Sequence, residues 1–330
     1  MKEFEDRLEL ELRGFLSEMR VVALSIDARL GPLVDELESA VAGGKRLRPQ
    51  LAAWGYRAGG APVDAPMIRV GAALELLQTF ALIQDDVIDR SPTRRGRPAS
   101  QIVLARAAQV EPDRFGPSAA ILLGDLALIW ADQLLAASGF TPERLARAQG
   151  VYNRLRTEVT LGQYLDVLAA HSRRVTEAEA LTVNRYKTAS YTVERPIQLG
   201  LALAGASDPL IEAVSSYAIP AGIAFQLRDD VLGAFGDPEL TGKPSGEDLR
   251  ERKPTWLWAR TLHLCPEAEE VKDVASLRQL MVDSGALAEA EEKIRVLGEE
   301  ALAAARQLPV AYALVGELVD ITERLVWRRS

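Results

Sequence analysis

Helical periodicity runs almost unbroken through the 330 residues, and twice it carries a nearly all-apolar stretch into an Asp-Asp pair. Ala72 to Ile83 leads into Gln84-Asp85-Asp86-Val87-Ile88-Asp89, and Ile219 to Leu227 leads into Arg228-Asp229-Asp230-Val231-Leu232-Gly233. Basic residues follow each: Arg94, Arg95 and Arg97 after the first, Lys243, Arg250, Arg252 and Lys253 after the second. Helix-length segments (Met67 to Asp89, Ser118 to Ala137, Glu143 to Ala170, Pro209 to Gly233) alternate with Pro- or Gly-marked loops such as Val110 to Pro117 and Gly236 to Pro254. No strand alternation stands out. The expected architecture is all-α, a single large helical bundle of roughly ten or more helices. No linker, repeat or low-complexity tract divides it, so residues 1–330 read as one domain.

Composition narrows the function. The chain is 48% hydrophobic but only 6% aromatic, which favours helices over a sheet sandwich. A formal net charge of −8 argues against a general nucleic-acid binder. The single Cys265 excludes an intrachain disulfide and fits a reducing, cytoplasmic setting. Met1 to Arg20 is studded with Glu and Arg, unlike a signal peptide. No continuous apolar run reaches the roughly 20 residues of a membrane span, so none is expected.

At 100° per residue, Asp85 and Asp89 lie about 40° apart, one turn and roughly 6 Å along the axis. Asp86 sits on the adjoining side. Three carboxylates there repel one another and meet the negative end of the helix dipole. A cation should offset them. Mg²⁺ is the natural candidate, because it prefers hard oxygens and usually binds carboxylates together with substrate phosphates. The alternative is a solvated acidic helix end paired with Arg94 and Arg95. Two clusters on one plan, each behind an apolar helix, favour the metal. His171 and His263 lie outside both motifs, and His171 reads as a surface residue after a helix. Asp125, inside the apolar run Ile121 to Trp130, reads as a structural core carboxylate.

These motifs, in this order, resemble the all-trans polyprenyl diphosphate synthases. The resemblance rests on Gly43-Gly44-Lys45-Arg46-Leu47-Arg48-Pro49, on Asp85 to Asp89 with Thr93 to Gly96, and on Gly162-Gln163-Tyr164-Leu165-Asp166. Tyr186-Lys187-Thr188, Phe225 to Gly233, Gly242-Lys243 and Lys253-Pro254-Thr255 complete it. The segments Lys187 to Pro196 and Gly242 to Thr255 look most like short-chain enzymes of actinobacterial type. The resemblance implies the isoprenoid synthase bundle around a central substrate cavity, Mg²⁺ as cofactor (three ions with substrate bound) and a homodimer. It implies that Lys45, Arg48, Gln78 and Arg95 hold the diphosphate of isopentenyl diphosphate. Asp85, Asp86 and Asp89 would serve the metal of the allylic diphosphate, and Asp229 and Asp230 a further metal. Gln163 and Asp166 would support that metal site through water. Arg94, Lys187, Thr188, Gln226, Lys243 and Lys253 would contact the allylic diphosphate or stabilise its departure. Three positions depart from common family patterns: Gln78 and Gln84, where His is frequent, and Gly233, where the second motif often has a third Asp.

The implied reaction breaks an allylic C–O bond, adds isopentenyl diphosphate to the resulting cation and loses a proton. No protein nucleophile is needed. Phe80 and Ala81, ahead of the first Asp motif, are the positions at which family members limit chain length. A small Ala81 above an aromatic Phe80 implies a C20 product, geranylgeranyl diphosphate, with C15 as the alternative. A terpene cyclase is a different reading, but it leaves the Gly43 to Pro49 segment and the second Asp motif unexplained. A non-catalytic subunit of a heteromeric synthase is a third reading, and the intact first motif argues against it.

Overall fold

The computed structural model describes residues 2–108, 112–172, 174–236 and 246–328. The fold is all-α, 82% helical. It divides into two compact units, one of residues 1–57 and 61–145, the other of residues 58–60 and 146–330.

The first unit runs through α1 (Lys2–Ile26), α2 (Gly31–Val41), α3 (Leu47–Ala58), α4 (Ala65–Ile88), α5 (Ser100–Ala108) and α6 (Pro112–Ala136). Asp64 starts α4 by accepting a hydrogen bond from the Met67 amide at 3.2 Å, and Pro66 sets the first turn. Every residue from Ile68 to Leu77 except Arg69 is buried, so α4 is apolar on all sides rather than along one stripe. It packs against α6 and α1, whose Leu8, Leu12 and Leu16 are buried. The chain between Gly43 and Arg46 turns through left-handed backbone at Gly43 (φ 71°) and Gly44 (φ 93°). This brings the Gly43–Pro49 segment back beside α4.

The second unit takes in most of α7 (Pro142–Ala170), then α8 (Glu177–Val183), a π-helix (Asn184–Glu194), α9 (Arg195–Ala204), α10 (Asp208–Ala213) and α11 (Ser215–Phe235). It continues with α12 (Glu247–Arg250), α13 (Trp256–Leu264), α14 (Val274–Asp283), α15 (Ala286–Gln307) and α16 (Tyr312–Val326). Thr176 and Glu179 form a capping box at the start of α8. Two glycines let the π-helix lie close to its neighbours. A Cβ on Gly162 of α7 would sit 2.5 Å from the Lys187 amide nitrogen, and one on Gly222 of α11 would sit 2.5 Å from Ala189 Cα. Wide helical turns of this kind are frequent at functional sites, and this one carries Lys187 and Thr188.

Four local expectations change. Thr93–Arg94 and Arg97–Pro98 pair as a two-stranded antiparallel ribbon, too short for any alternation to show. Its turn, Arg95-Gly96, is left-handed at both residues (φ 52° and 73°), the geometry that joins tight hairpins. α6 begins at Pro112 rather than after Pro117: Pro112 takes the first position, where a missing N–H is tolerated, and Pro117 lies inside the helix. Pro209 to Gly233 is two helices broken at Val214, not one. Finally, length and composition do not exclude a membrane span. Ala65–Ile88, Asp113–Ala136 and Asp208–Phe235 are each long and apolar enough. Isolated charges such as Glu75 and Asp125 interrupt a run yet hardly lower an 18-residue mean. In the fold, 67%, 44% and 44% of these windows are buried within protein.

Candidate active site

In the first unit, α4 delivers Asp85, Asp86 and Asp89 to its C-terminal end, as the spacing predicts. Asp86 is 3% exposed. Burial pushes its pKa up, against the opposing pull of Arg94. Arg94 donates from Nε to Asp86 Oδ1 at 2.8 Å and from Nη2 to Asp85 Oδ2 at 3.0 Å. Gln101 fixes the same helix end, donating to the Asp86 and Ser91 carbonyls at 3.2 and 2.8 Å. Asp86 thus anchors Arg94, while Asp85 is half-buried and Asp89 is exposed.

Beside this lies a cleft of about 410 Å³ lined by Gly43, Gly44, Asp86, Arg94, Arg95 and Arg97, among others. Arg95 lies over Gly44, where a Cβ would come within 3.0 Å of its guanidinium. Its Nη1 donates to the Ala42 carbonyl at 3.3 Å. Partial burial lowers the Arg95 pKa, Glu75 opposes this, and the neighbouring Arg46, Arg94 and Arg48 lower it further. Four guanidinium groups therefore crowd one region, which is a setting for a polyanion. One of them is structural. Arg46, 6% exposed, pairs with Glu75 of α4 and Glu9 of α1 and donates to the Val41 carbonyl at 2.9 Å. Arg97 is likewise tied down, to the Ser39 carbonyl at 2.8 Å. Gln78 Oε1 is buried without a hydrogen-bond partner. Phe80 and Ala81 are half-buried on α4 ahead of the carboxylates.

Gln84 donates weakly to the Ile121 carbonyl at 3.3 Å and to Asp125 Oδ1 at 3.5 Å, in space left by Gly124. Asp125 is exposed, not a core carboxylate, because it falls on the outer side of α6. His171 is exposed just after α7, as expected.

In the second unit, α11 delivers Asp229 and Asp230 one turn before its end. Thr188 donates to Gln226 Oε1 at 2.6 Å, and Gln226 Nε2 donates to Asp230 Oδ1 at 2.9 Å. Lys187 Nζ donates to Asp166 Oδ2 at 2.5 Å. Asp230 is 4% exposed, and its Oδ2 is buried with no hydrogen-bond partner. Burial pushes its pKa up to about 6; Lys253 and Gln226 oppose this, while Asp248 and Asp166 add to it. Within the second unit, Lys187 is thus joined to Asp166, Thr188 to Gln226 and Gln226 to Asp230, and Lys253 is close enough to act on Asp230. Lys243 lies outside the described residues. Arg252 points elsewhere, donating to the Val271 carbonyl at 3.2 Å.

Two residues escaped the sequence reading. Asp248 fills the space above Gly233: a Cβ there would lie 2.0 Å from Asp248 Oδ2. The third carboxylate that the motif lacks at Gly233 is present, supplied by α12. The missing Asp was itself the signal to look for it. The second residue is Arg328, which pairs with Asp229.

This donor set suits a divalent cation held jointly with a phosphate. Among the described residues, no three carboxylate, imidazole or thiol groups close into a ready-made metal cage. Mg²⁺ typically takes only one or two carboxylates, with phosphate oxygens and water as the rest. The orphaned Asp230 Oδ2, with the charges of Asp248 and Asp166 acting on the same carboxyl, is a hard oxygen that a cation would satisfy.

Comparison with known proteins agrees with this chemistry. The polyprenyl synthetase family model matches residues 32–292. A geranylfarnesyl diphosphate synthase of Aeropyrum pernix is 34% identical over 85% of this chain and 88% of its own. A geranylgeranyl diphosphate synthase of Mycobacterium tuberculosis is 36% identical over 64% of this chain and 56% of its own. A crystal structure of geranylgeranyl pyrophosphate synthase from Corynebacterium glutamicum, complexed with isoprenyl diphosphate and magnesium, superposes with a TM-score of 0.94. It is 37% identical and covers 99% of both chains.

Proposed function

The chain belongs to the polyprenyl synthetase family, and from that premise we propose that it condenses isopentenyl diphosphate with an allylic diphosphate to make geranylgeranyl diphosphate in the cytoplasm. One observation carries the reading. The first unit holds a carboxylate group suited to a metal and, next to it, an arginine cluster suited to a phosphate without one. A condensation of two diphosphates needs both kinds of site, whereas a cyclase acts on a single diphosphate.

The residues divide the work. Asp85 and Asp89 in the first unit, and Asp229 and Asp230 in the second, would hold Mg²⁺ with the allylic diphosphate. Bound there, Mg²⁺ supplies Lewis-acid neutralisation of the leaving diphosphate. Arg94, fixed by Asp86, and Lys187, fixed by Asp166, donate to the leaving oxygens in a preset geometry. Thr188 and Gln226 keep Asp230 in place, Asp248 completes the acidic set, and Lys253 lends positive charge beside it. Arg48, Arg95, Lys45 and Gln78 bind the diphosphate of isopentenyl diphosphate. The allylic C–O bond breaks, its electrons leaving with diphosphate. The isopentenyl double bond then forms the new C–C bond, and the proton lost from the adjacent carbon passes to the released diphosphate. The apolar side of α4 shields the cation from water and leads the tail toward Ala81 and Phe80.

The active protein is a homodimer. On α6, Phe115, Leu122 and Ile129 are 40%, 64% and 59% exposed. They recur every seven residues, the spacing of a helix seam.

The test is incubation with labelled isopentenyl diphosphate, each allylic primer and Mg²⁺, followed by chromatography of the dephosphorylated products. The expected product is chiefly C20, and Phe80→Ala should lengthen it. A wild type yielding mainly C15, or an unmoved Phe80→Ala distribution, would remove the chain-length reading. No condensation with any primer would remove the synthase reading itself.

A further inference from the structure

The second unit carries a cation that no motif announces. α16 ends at Val326, and the turn into Trp327 and Arg328 is fixed from two sides. Trp327 lies over Gly298 of α15, where a Cβ would come within 2.9 Å of the indole. Arg228, next to Asp229 in sequence, donates from Nε to the Val326 carbonyl at 2.9 Å. Its two Nη atoms each hold Glu291 at 2.7 Å, so Arg228 is neutralised by its own partner. The backbone around Val326 is therefore tied to the turn of α11 that presents the carboxylates.

From this anchor Arg328 turns back onto α11. Its guanidinium pairs with Asp229 and lies 4.9 Å from the centroid of the Phe225 ring, one turn earlier. The Arg328 side chain is 13% exposed, and both Nε and Nη2 are buried without a hydrogen-bond partner, so the contact with Asp229 is an ion pair and not an aligned hydrogen bond. Burial, and then Arg228 nearby, lower its pKa. A guanidinium beside one carboxylate and a ring face, with two donors unused, sits in a costly place. The partner it holds is the carboxylate that the proposed function assigns to metal.

We propose that Arg328 is a positioning residue of the second metal site: it neutralises and orients Asp229 in the metal-free protein and is displaced when a divalent metal binds there with diphosphate. The inference rests on the reading of Asp229 as a metal ligand. Its physical content is competition. Metal can enter only from the fraction of molecules in which the Arg328–Asp229 pair is open, and apparent affinity falls by that fraction. A pair closed in about nine molecules of ten weakens apparent metal affinity roughly tenfold. Arg328 thus sets the Mg²⁺ concentration at which the site fills and keeps Asp229 from repelling Asp230 until it does.

The experiment is calorimetric titration with Mg²⁺ at a fixed, saturating concentration of an unreactive thiolo analogue of an allylic diphosphate. Arg328→Gln should lower the Mg²⁺ midpoint roughly tenfold, while Arg328→Lys, which keeps the charge, should stay within about twofold of wild type. Asp229→Asn should abolish the Arg328-sensitive part of the titration. A midpoint unmoved by Arg328→Gln, or raised by it as for a residue that binds diphosphate or merely supports the fold, overturns the proposal. If Asp229→Asn leaves the wild-type titration intact, the metal assignment of Asp229 fails, and this inference with it. A titration that depends on Asp229 but ignores Arg328 sinks this inference alone.

Discussion

Burial holds the Asp230 carboxyl at about 6, above the 3.8 of an ordinary Asp. A shift of that size corresponds to about 3 kcal/mol of lost stability once the group is ionised. The sign follows from the raised pKa. Below about pH 3 the carboxyl is protonated in both the folded and unfolded chain and costs nothing, and at pH 4 only a small part of the cost has appeared. As pH rises toward 6 the unfolded chain ionises more readily, so folded stability falls, and above 6 the full cost remains. Asp230→Asn removes the charge, keeps the acceptor for Gln226 and turns an amide toward the charges of Asp166 and Asp248. In EDTA it should raise the melting temperature at pH 8 and lose most of that advantage at pH 4, while condensation activity collapses. Circular dichroism melts at the two pH values decide; a variant destabilised equally at both contradicts this account. The site was unevenly legible at this scale. The shared face of Asp85 and Asp89 was readable because helix spacing fixes it, whereas Asp229 was reached only through the repeated plan of an apolar run ending in an Asp pair and through the family resemblance. Asp248 and Arg328 were not readable, since each reaches α11 through a tertiary contact that leaves no periodicity. The role of Arg46 was hidden for the same reason. In sequence it is one more cation among Lys45 and Arg48, and only the fold pairs it with Glu9 and Glu75.

The arrangement of Lys187 and Thr188 is a property of elements in contact. The π-helix can seat them only because Gly162 and Gly222 let α7 and α11 approach its backbone. A methyl group at Gly162 meets the Lys187 amide, which cannot rotate away as a side-chain tip could. Gly162→Ala should therefore cost about 1–3 kcal/mol. It should also lower kcat by shifting Lys187 off Asp166. Gly150→Ala is the matched control: it lies on the same helix with nothing within 4 Å of the added carbon. Chemical denaturation and steady-state kinetics on the pair test this, and equal behaviour of the two variants would falsify the clamp. Long helices bounded by Pro or Gly loops, such as α4 and α7, could be placed from sequence to within about two residues. The π-helix, the break at Val214 and the Thr93–Pro98 ribbon could not, because each depends on packing or on two-residue strands below the length at which a pattern shows.

For the whole molecule, α6 is the informative helix. Its apolar window is 44% buried against 67% for α4, although both are apolar enough to read as fully internal. The difference lies in a single face. Phe115, Leu122 and Ile129 point outward at seven-residue intervals, with Ile121 41% exposed beside them. Burying a Leu or Ile typically contributes about 1.5–3 kcal/mol, so an uncovered seam of this kind is costly to leave in water. In the homodimer proposed above, a second copy of the same helix, related by a two-fold axis, would cover it with a self-complementary surface, and each side chain would then be used twice. That doubling makes the arrangement sensitive to one substitution, because a glutamate at position 122 enters the interface from both subunits and meets its own charge or an apolar wall. Leu122→Glu should shift the mass measured by light scattering from twice that of the chain to once, with the helical circular dichroism signal retained. Ile129→Glu should act alike. Val296→Glu, on the 46%-exposed Val296 of α15 in the second unit, should leave the dimer intact. A wild type already monomeric at micromolar concentration, or a Leu122→Glu variant that stays dimeric, contradicts the assignment of this face. The catalytic reading would stand, since it rests on the carboxylates and arginines within each chain.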